Sequence, residues 1–330
     1  MTNEGMVRVA ILGCSDIARR KFLPALSRSG QARLAALGSR LVDESAASLA
    51  AVAQAPLMSY EEVIRDPAID LVYISLPNHL HEIWSIRALE QGKHVLCEKP
   101  LGLDAASVRR MLGAAESSGR LLYENLMYLR HPQHAAVKVL VEAGHIGRLL
   151  SLRSEFAFPG PAAGDFRLDP AMGGGAFHDM NRYPLSAALY FLTGKSHRFI
   201  RGGAQVREGL NLSLWAESQT DAGEEFSFQV AFGQRYRSFY QISGERGVIR
   251  VERAYTTPSD MENRIFVTVE GRDESFSVPP DDHFLGTIEH VCSLVRGGHW
   301  DAEHEQTGKL AALADMFQDK CIREEPAHDD

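Results

Sequence analysis

At 330 residues, with 45% hydrophobic and 24% charged side chains, the chain has an ordinary soluble globular composition and can bury a core without staples. Its net charge of -8 offers no basic face, which argues against a nucleic-acid or anionic-membrane partner. Cys14, Cys97, Cys292 and Cys321 fall at unpaired spacings, the start MTNEGM is unlike a signal peptide, and no apolar run approaches ~18 residues. These features predict a reducing, cytoplasmic setting with neither a structural metal nor a membrane partner.

The run VRVAIL, Val7 to Leu12, is apolar and β-forming. Gly13, small residues and a helical stretch from about Asp16 follow it. Strand, tight turn and helix N-terminus present free N–H groups and a partial positive charge, which suits a phosphate. Gly13 permits the turn, Ser15 is small enough for close approach of a pyrophosphate, and Ala18 lets the helix pack against the strand. Two of the three glycines of the dinucleotide fingerprint are missing, so an ordinary βα turn fits this stretch equally well.

Downstream, ARLAALG, LVYISL, HVLCE and LLYEN alternate with helical stretches at 43–54, 61–65, 80–91 and 105–118. Alternating strands and helices predict βαβ units and a parallel sheet, with Asp104 as an N-cap and Gly92 and Gly119 closing helices. From about residue 124 the pattern changes. A helix is expected over 132–143, a strand in RLLSLRSEFAF, and a long apolar helix over about 178–191 after the turn MGGGAF. Residues 198–279 alternate, with Phe226, Phe228, Val230 and Phe232 on one face, as in an antiparallel sheet with one buried face. Helices at 282–296 and 303–323 close the chain, and the tail EEPAHDD is expected to be loose. The fold class is therefore α/β: a Rossmann-type dinucleotide domain over 1–123, then an α+β domain over 124–330 with an open, mostly antiparallel sheet.

Ligands of open parallel sheets bind beyond the carboxyl ends of the strands. After the second strand, Ser39 and Arg40 stand where an acidic residue would hold an NAD ribose. A 2′-phosphate calls for positive charge there, so NADP(H) is the expected cofactor, with a solvated arginine as the plainer reading. Arg19 and Arg20 lie nearby or simply on the helix surface, and Asp43 is placed to open the next helix. In SLPNHLH, His79 and His81 have HxH spacing, but no third ligand lies near, and His81 is expected on the helix or against a cofactor. In CEKPL, Glu98 and Lys99 end the fourth strand, and Pro100 suggests a cis or sharply turned peptide that aims the lysine sideways. A lysine there can stabilise a developing alkoxide, with a surface lysine paired to Glu98 as the plainer reading. In GGGAFHDMNRYP, Asp179 and Tyr183 share a helix face, so a carboxylate, a phenol and a lysine from the first domain make a proton-relay set, with a buried tyrosine bonded to a capping aspartate as the plainer reading.

These motifs, in this order and spacing, resemble the Gfo/Idh/MocA oxidoreductases over nearly the whole chain. The stretches GCSDIARRKFLPAL and ENLMYLRHPQHAAV are most similar to the nucleotide-sugar 3-ketoreductases, which use NADPH to reduce the 3-keto group of a dTDP-linked keto-deoxyhexose. The resemblance implies Lys99 and Tyr183 as a catalytic pair with Asp179. It implies cofactor contacts at Gly13, Ser15, Asp16, Ile17, Ser39, Arg40, Leu76, Asn78, His81, Glu98, Lys99, Asn125 and Arg167. It implies substrate contacts at Lys99, Asn125, His131, His134, Asp179 and Tyr183, and a homo-oligomer formed through the open sheet. His178, Asn181 and Arg182 depart from the family pattern. Arg167 is expected to supply positive field for a diphosphate. An NADP-dependent dehydrogenase of a free sugar or diol is the alternative within this fold, and a nucleotide-binding sensor without catalysis is the alternative outside enzyme function.

Overall fold

A computed structural model describes residues 5–40 and 44–323. Asp43 and the tail EEPAHDD lie outside the described residues. Contacts divide the chain into two compact units, Met1–Met127 with Asp282–Lys309, and Tyr128–Asp281 with Leu310–Asp330.

The first unit holds β1 (Val7–Leu12), a helical segment with a π-turn at Ala18–Phe22 leading into α1 (Leu23–Arg28), β2 (Ala32–Gly38), α2 (Glu44–Ala53), β3 (Leu57–Met58), α3 (Tyr60–Arg65) and β4 (Leu71–Ile74). Then come α4 (His81–Glu90), β5 (His94–Cys97), α5 (Ala105–Ser118) and β6 (Leu122–Glu124). The sheet order is β3-β2-β1-β4-β5-β6, and every pairing is parallel. This is the Rossmann order. Burial explains the continuous apolar strands: all of β4 and β5 is buried, as expected for a sheet covered on both faces. Asp104 caps α5 in a reciprocal capping box with Ser107, and Gly119 closes that helix at φ 61°. The two-residue β3 is too short to show a period and is absent from the sequence reading.

The second unit holds α6 (Pro132–Glu142), β7 (Leu149–Ala157), α7 (Ala176–Met180), α8 (Arg182–Phe191), β8 (His197–Arg207), β9 (Leu210–Thr220), β10 (Glu225–Ala231), β11 (Arg237–Gly244), β12 (Gly247–Glu252), β13 (Asn263–Val269) and β14 (Arg272–Val278). Its sheet runs β14-β13-β12-β11-β7-β10-β9-β8, antiparallel except for the parallel pair β7–β10. Phe226, Phe228, Val230 and Phe232 are buried, matching the alternation. The other face carries ion pairs, among them Arg237–Glu155 at 2.7 Å and Arg201–Glu217 at 2.7 Å.

Two boundaries differ from expectation. The apolar helix near 178–191 begins at Ala176 and is interrupted at Asn181. Pro184 has no N–H to give the Met180 carbonyl, so the helical ladder loses a rung there. The 124–330 segment is also not one unit. Helix α9 (His283–Gly297) buries Phe284, Ile288 and Val291 and belongs with the first unit, together with α10 (Asp301–Gln318) as far as Lys309. Among the described residues, no helix is long and apolar enough to cross a membrane.

Two histidines tie the first unit together as acceptors. His94 Nδ1 accepts the Leu121 N–H at 3.0 Å, and His304 Nε2 accepts the Leu122 N–H at 3.1 Å. Both rings must be neutral at those nitrogens. Burial lowers both pKa values, that of His94 to about 4. A histidine depressed in the folded state contributes stability above its unfolded value near ~6.5, and the contribution is lost as pH falls toward the folded value. Urea unfolding should therefore show a loss of about 2–3 kcal/mol between pH 7 and pH 4 that traces to His94. His94→Gln, which can still accept the Leu121 N–H, should flatten that slope, and an unchanged slope in this variant would remove His94 from the account.

Candidate active site

The parallel strands end on one edge of the first unit, and the expected cofactor residues gather there. Gly13 has φ +94°, and a Cβ on it would meet Leu76 Cδ2 and the Ser75 carbonyl oxygen at 2.8 Å each. Only glycine fits this turn. The Gly13 N–H donates to the Gly38 carbonyl at 3.1 Å, and its own carbonyl accepts from Ser75 Oγ at 3.0 Å. Ser15 Oγ accepts the Ala18 N–H at 3.2 Å, which caps the helix entry. Asp16 is exposed and pairs with Arg19 at 2.6 Å and Arg20 at 3.8 Å, so these three charges largely satisfy one another on the helix surface. Ile17 is half-buried beside them. At the end of β2, the Ser39 N–H donates to the Met58 carbonyl at 3.0 Å. Arg40 is exposed and joins none of the ion pairs among the described residues.

At the ends of β4, β5 and β6 lies a polar cluster. Glu98 Oε1 accepts from Tyr73 Oη at 2.6 Å and from Asn125 Nδ2 at 2.7 Å. Burial raises the Glu98 pKa, and the two donors hold it back. Asn125 is 1% exposed, and its Oδ1 finds no acceptor duty among the described residues. Lys99 is half-buried, and the Lys99–Pro100 peptide is cis. Leu76 and Asn78 are buried where the chain leaves β4, and Asn78 opens a single 3-10 turn. His79 is exposed whereas His81 is fully buried. Nδ1 of His81 lies 2.8 Å from the Pro100 carbonyl oxygen and Nε2 lies 2.8 Å from that of Leu76. His81 thus opens α4, one of its two expected placements, with both ring nitrogens facing backbone carbonyl oxygens.

In the second unit, Asp179 and Tyr183 are both buried. The Tyr183 ring packs against Phe156, Tyr255 and Tyr128, with centroids 5.0, 5.3 and 5.6 Å away. Tyr128 Oη donates to the Tyr183 carbonyl at 3.1 Å and meets Ser186 Oγ at 2.7 Å. Arg167 makes a two-point pair with Asp165, at 3.0 and 2.7 Å, and lies 3.7 Å from Asp179. Two carboxylates therefore share one guanidinium, which corrects the expectation that Arg167 supplies surplus positive field. His131 is 1% exposed, and its Nδ1 accepts the Gln133 N–H at 3.3 Å as the N-cap of α6. His134 is fully buried, with Nδ1 3.0 Å from Tyr240 Oη and Nε2 3.2 Å from Gln133 Nε2. His134 thus has both ring nitrogens in polar contact within the second unit, and His131 uses Nδ1 as a helix cap. Of the residues that depart from the family pattern, Asn181 and Arg182 are buried and bonded to each other at 3.2 Å, and His178 Nδ1 meets the Gly174 carbonyl at 3.2 Å.

The sequence reading passed over Tyr73, Glu124 and Asp165. Tyr73 sits inside an apolar strand and reads as core. Glu124 ends the buried strand in LLYE, and a carboxylate at a strand end was the available signal.

Comparison with known proteins agrees with this architecture. Residues 7–126 match the family described as "Oxidoreductase family, NAD-binding Rossmann fold", and residues 134–250 match the GFO/IDH/MocA C-terminal domain. The dTDP-3,4-didehydro-2,6-dideoxy-alpha-D-glucose 3-reductase of Actinomadura kijaniata is 31% identical over 96% of both chains. The crystal structure of KijD10, a 3-ketoreductase from the same organism in complex with NADP and TDP-benzene, superposes with a TM-score of 0.92 at 30% identity, covering 96% of this chain and 98% of that one. Tyr→Phe and Lys→Ala variants of KijD10 are altered at two positions as far apart in sequence as Tyr183 and Lys99 are here. D-xylose 1-dehydrogenase (NADP(+)) 2 of Haloferax volcanii is 31% identical over 87% of this chain and 89% of its own. The chain belongs to the Gfo/Idh/MocA oxidoreductase family.

The Glu98 cluster makes one expectation concrete. Tyr73→Phe removes one of two donors to a buried carboxylate and should cost about 1 kcal/mol by urea denaturation. The Glu98 pKa, followed by NMR, should rise further in the same variant. A Glu98 titration unaffected by the change would contradict the hydrogen bond.

Proposed function

We propose that this protein is an NADPH-dependent reductase of the 3-keto group of a dTDP-linked keto-deoxysugar. The observation that supports it most is the likeness, at about 30% identity and over nearly the whole chain, to 3-ketoreductases that include one solved with NADP and TDP-benzene.

The residues present fit NADP(H). Arg40 is an exposed guanidinium at the end of β2, where a 2′-phosphate needs a cation and planar donors. Gly13 keeps the β1 turn free of a side chain, and Ser15, Asp16, Ile17, Ser39, Leu76 and Asn78 line the same strand ends. Asn125 Oδ1 is a buried acceptor that a donor on the cofactor would satisfy. The reduced nicotinamide supplies a hydride when bound.

Lys99 donates a hydrogen bond to the ketone oxygen and stabilises the charge that develops on it. Tyr183 Oη delivers the proton that makes the alcohol. Its ring is held by Phe156, Tyr255 and Tyr128, so little freedom remains to be lost in reaching the reactive position. Asp179, close to Arg167, is kept beside a cation and serves as a fixed anion in the substrate region. With Arg167 already shared between Asp165 and Asp179, the diphosphate would have to be met by other cations or by backbone N–H groups. The half-exposed Trp215 and Phe266, on the sheet face that carries the Arg237–Glu155 pair, suit a second copy of the chain.

A second reading, oxidation of a free sugar or diol with NADP+, is favoured by the likeness to the haloarchaeal xylose dehydrogenase.

Tyr183→Phe tests the proton donor. It should lower kcat by roughly 10²-fold or more while the Kd for NADPH, followed by cofactor fluorescence, stays within about threefold. Equal losses in both would remove Tyr183 from the donor role.

A further inference from the structure

Pro100 and Leu101 are joined by one peptide plane, and both of its polar ends are held by side chains. The Pro100 carbonyl oxygen lies 2.8 Å from His81 Nδ1. The Leu101 N–H donates to Glu124 Oε1 at 2.8 Å. His81 is fully buried and Glu124 is 4% exposed. The two side chains come from different elements, the first turn of α4 and the end of β6. Glu124 reaches the peptide because the parallel register sets it opposite Cys97, at the neighbouring strand end.

The chain on the other side of Lys99 is equally fixed. The Glu98 N–H donates to the Ile74 carbonyl at 2.9 Å, and its carboxylate is held by Tyr73 and Asn125. The Lys99 backbone thus hangs between two clamped points. Nε2 of the same ring lies 2.8 Å from the Leu76 carbonyl oxygen, so the ring sits between the loop after β4 and the loop after β5, its single N–H bonding one of the two oxygens when the imidazole is neutral. Burying a carboxylate and an imidazole is costly unless each makes strong hydrogen bonds. A carboxylate on a backbone N–H is a charge-assisted bond, roughly twice as strong as a neutral one. A surface turn would need neither group.

We propose that Glu124 and His81 are positioning residues for Lys99: by gripping the two polar ends of the Pro100–Leu101 peptide they fix where the lysine stem leaves the backbone. The proposal rests on the reading of Lys99 as the group that binds the ketone oxygen. Neither side chain touches the reacting atoms, and both act through Lys99.

The test is a double-mutant cycle on the full-length protein, assayed with NADPH and a dTDP-linked 3-keto-deoxyhexose. Displacing a catalytic group by about 1 Å can cost on the order of 10²-fold, so Glu124→Ala should lower kcat by about tenfold or more, with KM and the Kd for NADPH changed by less than about threefold. Glu124→Gln keeps an oxygen for the Leu101 N–H and should recover most of the loss. His81→Phe, which keeps a ring and removes both nitrogen contacts, forms an independent arm for the case that Glu124→Ala fails to fold. In a Lys99→Ala background, Glu124→Ala and His81→Phe should each cost less than about twofold more, because their effect runs through the lysine. A purely structural role predicts the same multiplicative loss in both backgrounds, and that result overturns the proposal. Single-variant rates within about twofold of the parent, in folded protein, also overturn it. If Lys99→Ala itself leaves kcat unchanged, the role of Lys99 falls and the proposal with it, an outcome distinct from the other two.

Discussion

Parallel strand pairing is the constraint on which the rest depends. Every strand of the first sheet runs the same way, so each ends on the same edge and each delivers its next few residues there. Gly13 after β1, Ser39 and Arg40 after β2, Leu76 after β4, Glu98 and Lys99 after β5, and Asn125 after β6 are neighbours for that reason. The strands themselves are largely buried and apolar, with Tyr73, His94 and Glu124 among their polar exceptions. What they supply is a rigid frame in which polar groups at the edge can be held to within hydrogen-bond distance of one another.

That edge is organised by hydrogen bonds to backbone as much as by contacts between side chains. The His81 ring lies between two carbonyl oxygens, Glu124 accepts a backbone N–H, and Ser75 Oγ donates to the Gly13 carbonyl. Each fixes a loop that would otherwise be free to choose among turns. In a buried setting such bonds are expensive to leave unmade, which makes the loops adopt one arrangement rather than several. The second unit uses another device. Tyr183 stands among aromatic rings, and a buried tyrosine, Tyr128, holds its carbonyl. Position there is set by packing.

Much of this was legible in the residues. Continuous apolar runs alternating with helices gave the parallel sheet, and the strict alternation in EFSFQVAFG gave the exposed-and-buried faces of the second one. The strand-end rule alone selected Gly13, Ser39, Leu76, Glu98 and Lys99. Failures have physical causes. A residue type does not tell which way a ring faces, so the backbone carbonyls beside His81, the helix cap at His131 Nδ1 and the phenol beside His134 could be seen only in the structure. Asp165 could not be paired with Arg167 from composition, and the pairing cancels the charge expected of that arginine. Glu124 needed the β5–β6 register before its reach toward Leu101 could be seen. Helix α9 joins the first unit through an apolar face whose partner lies far away in sequence.

On the proposed reading, hydride passes from NADPH to the 3-keto carbon of a nucleotide-linked sugar. Incubation with NADPH deuterated at C4 and a dTDP-linked 3-keto-deoxyhexose, followed by NMR of the product, reads that transfer at a single carbon. Deuterium is expected at C3 of the sugar. Absence of transfer to the keto sugar, together with NADPH formation from NADP+ and a free aldose or diol, would contradict it.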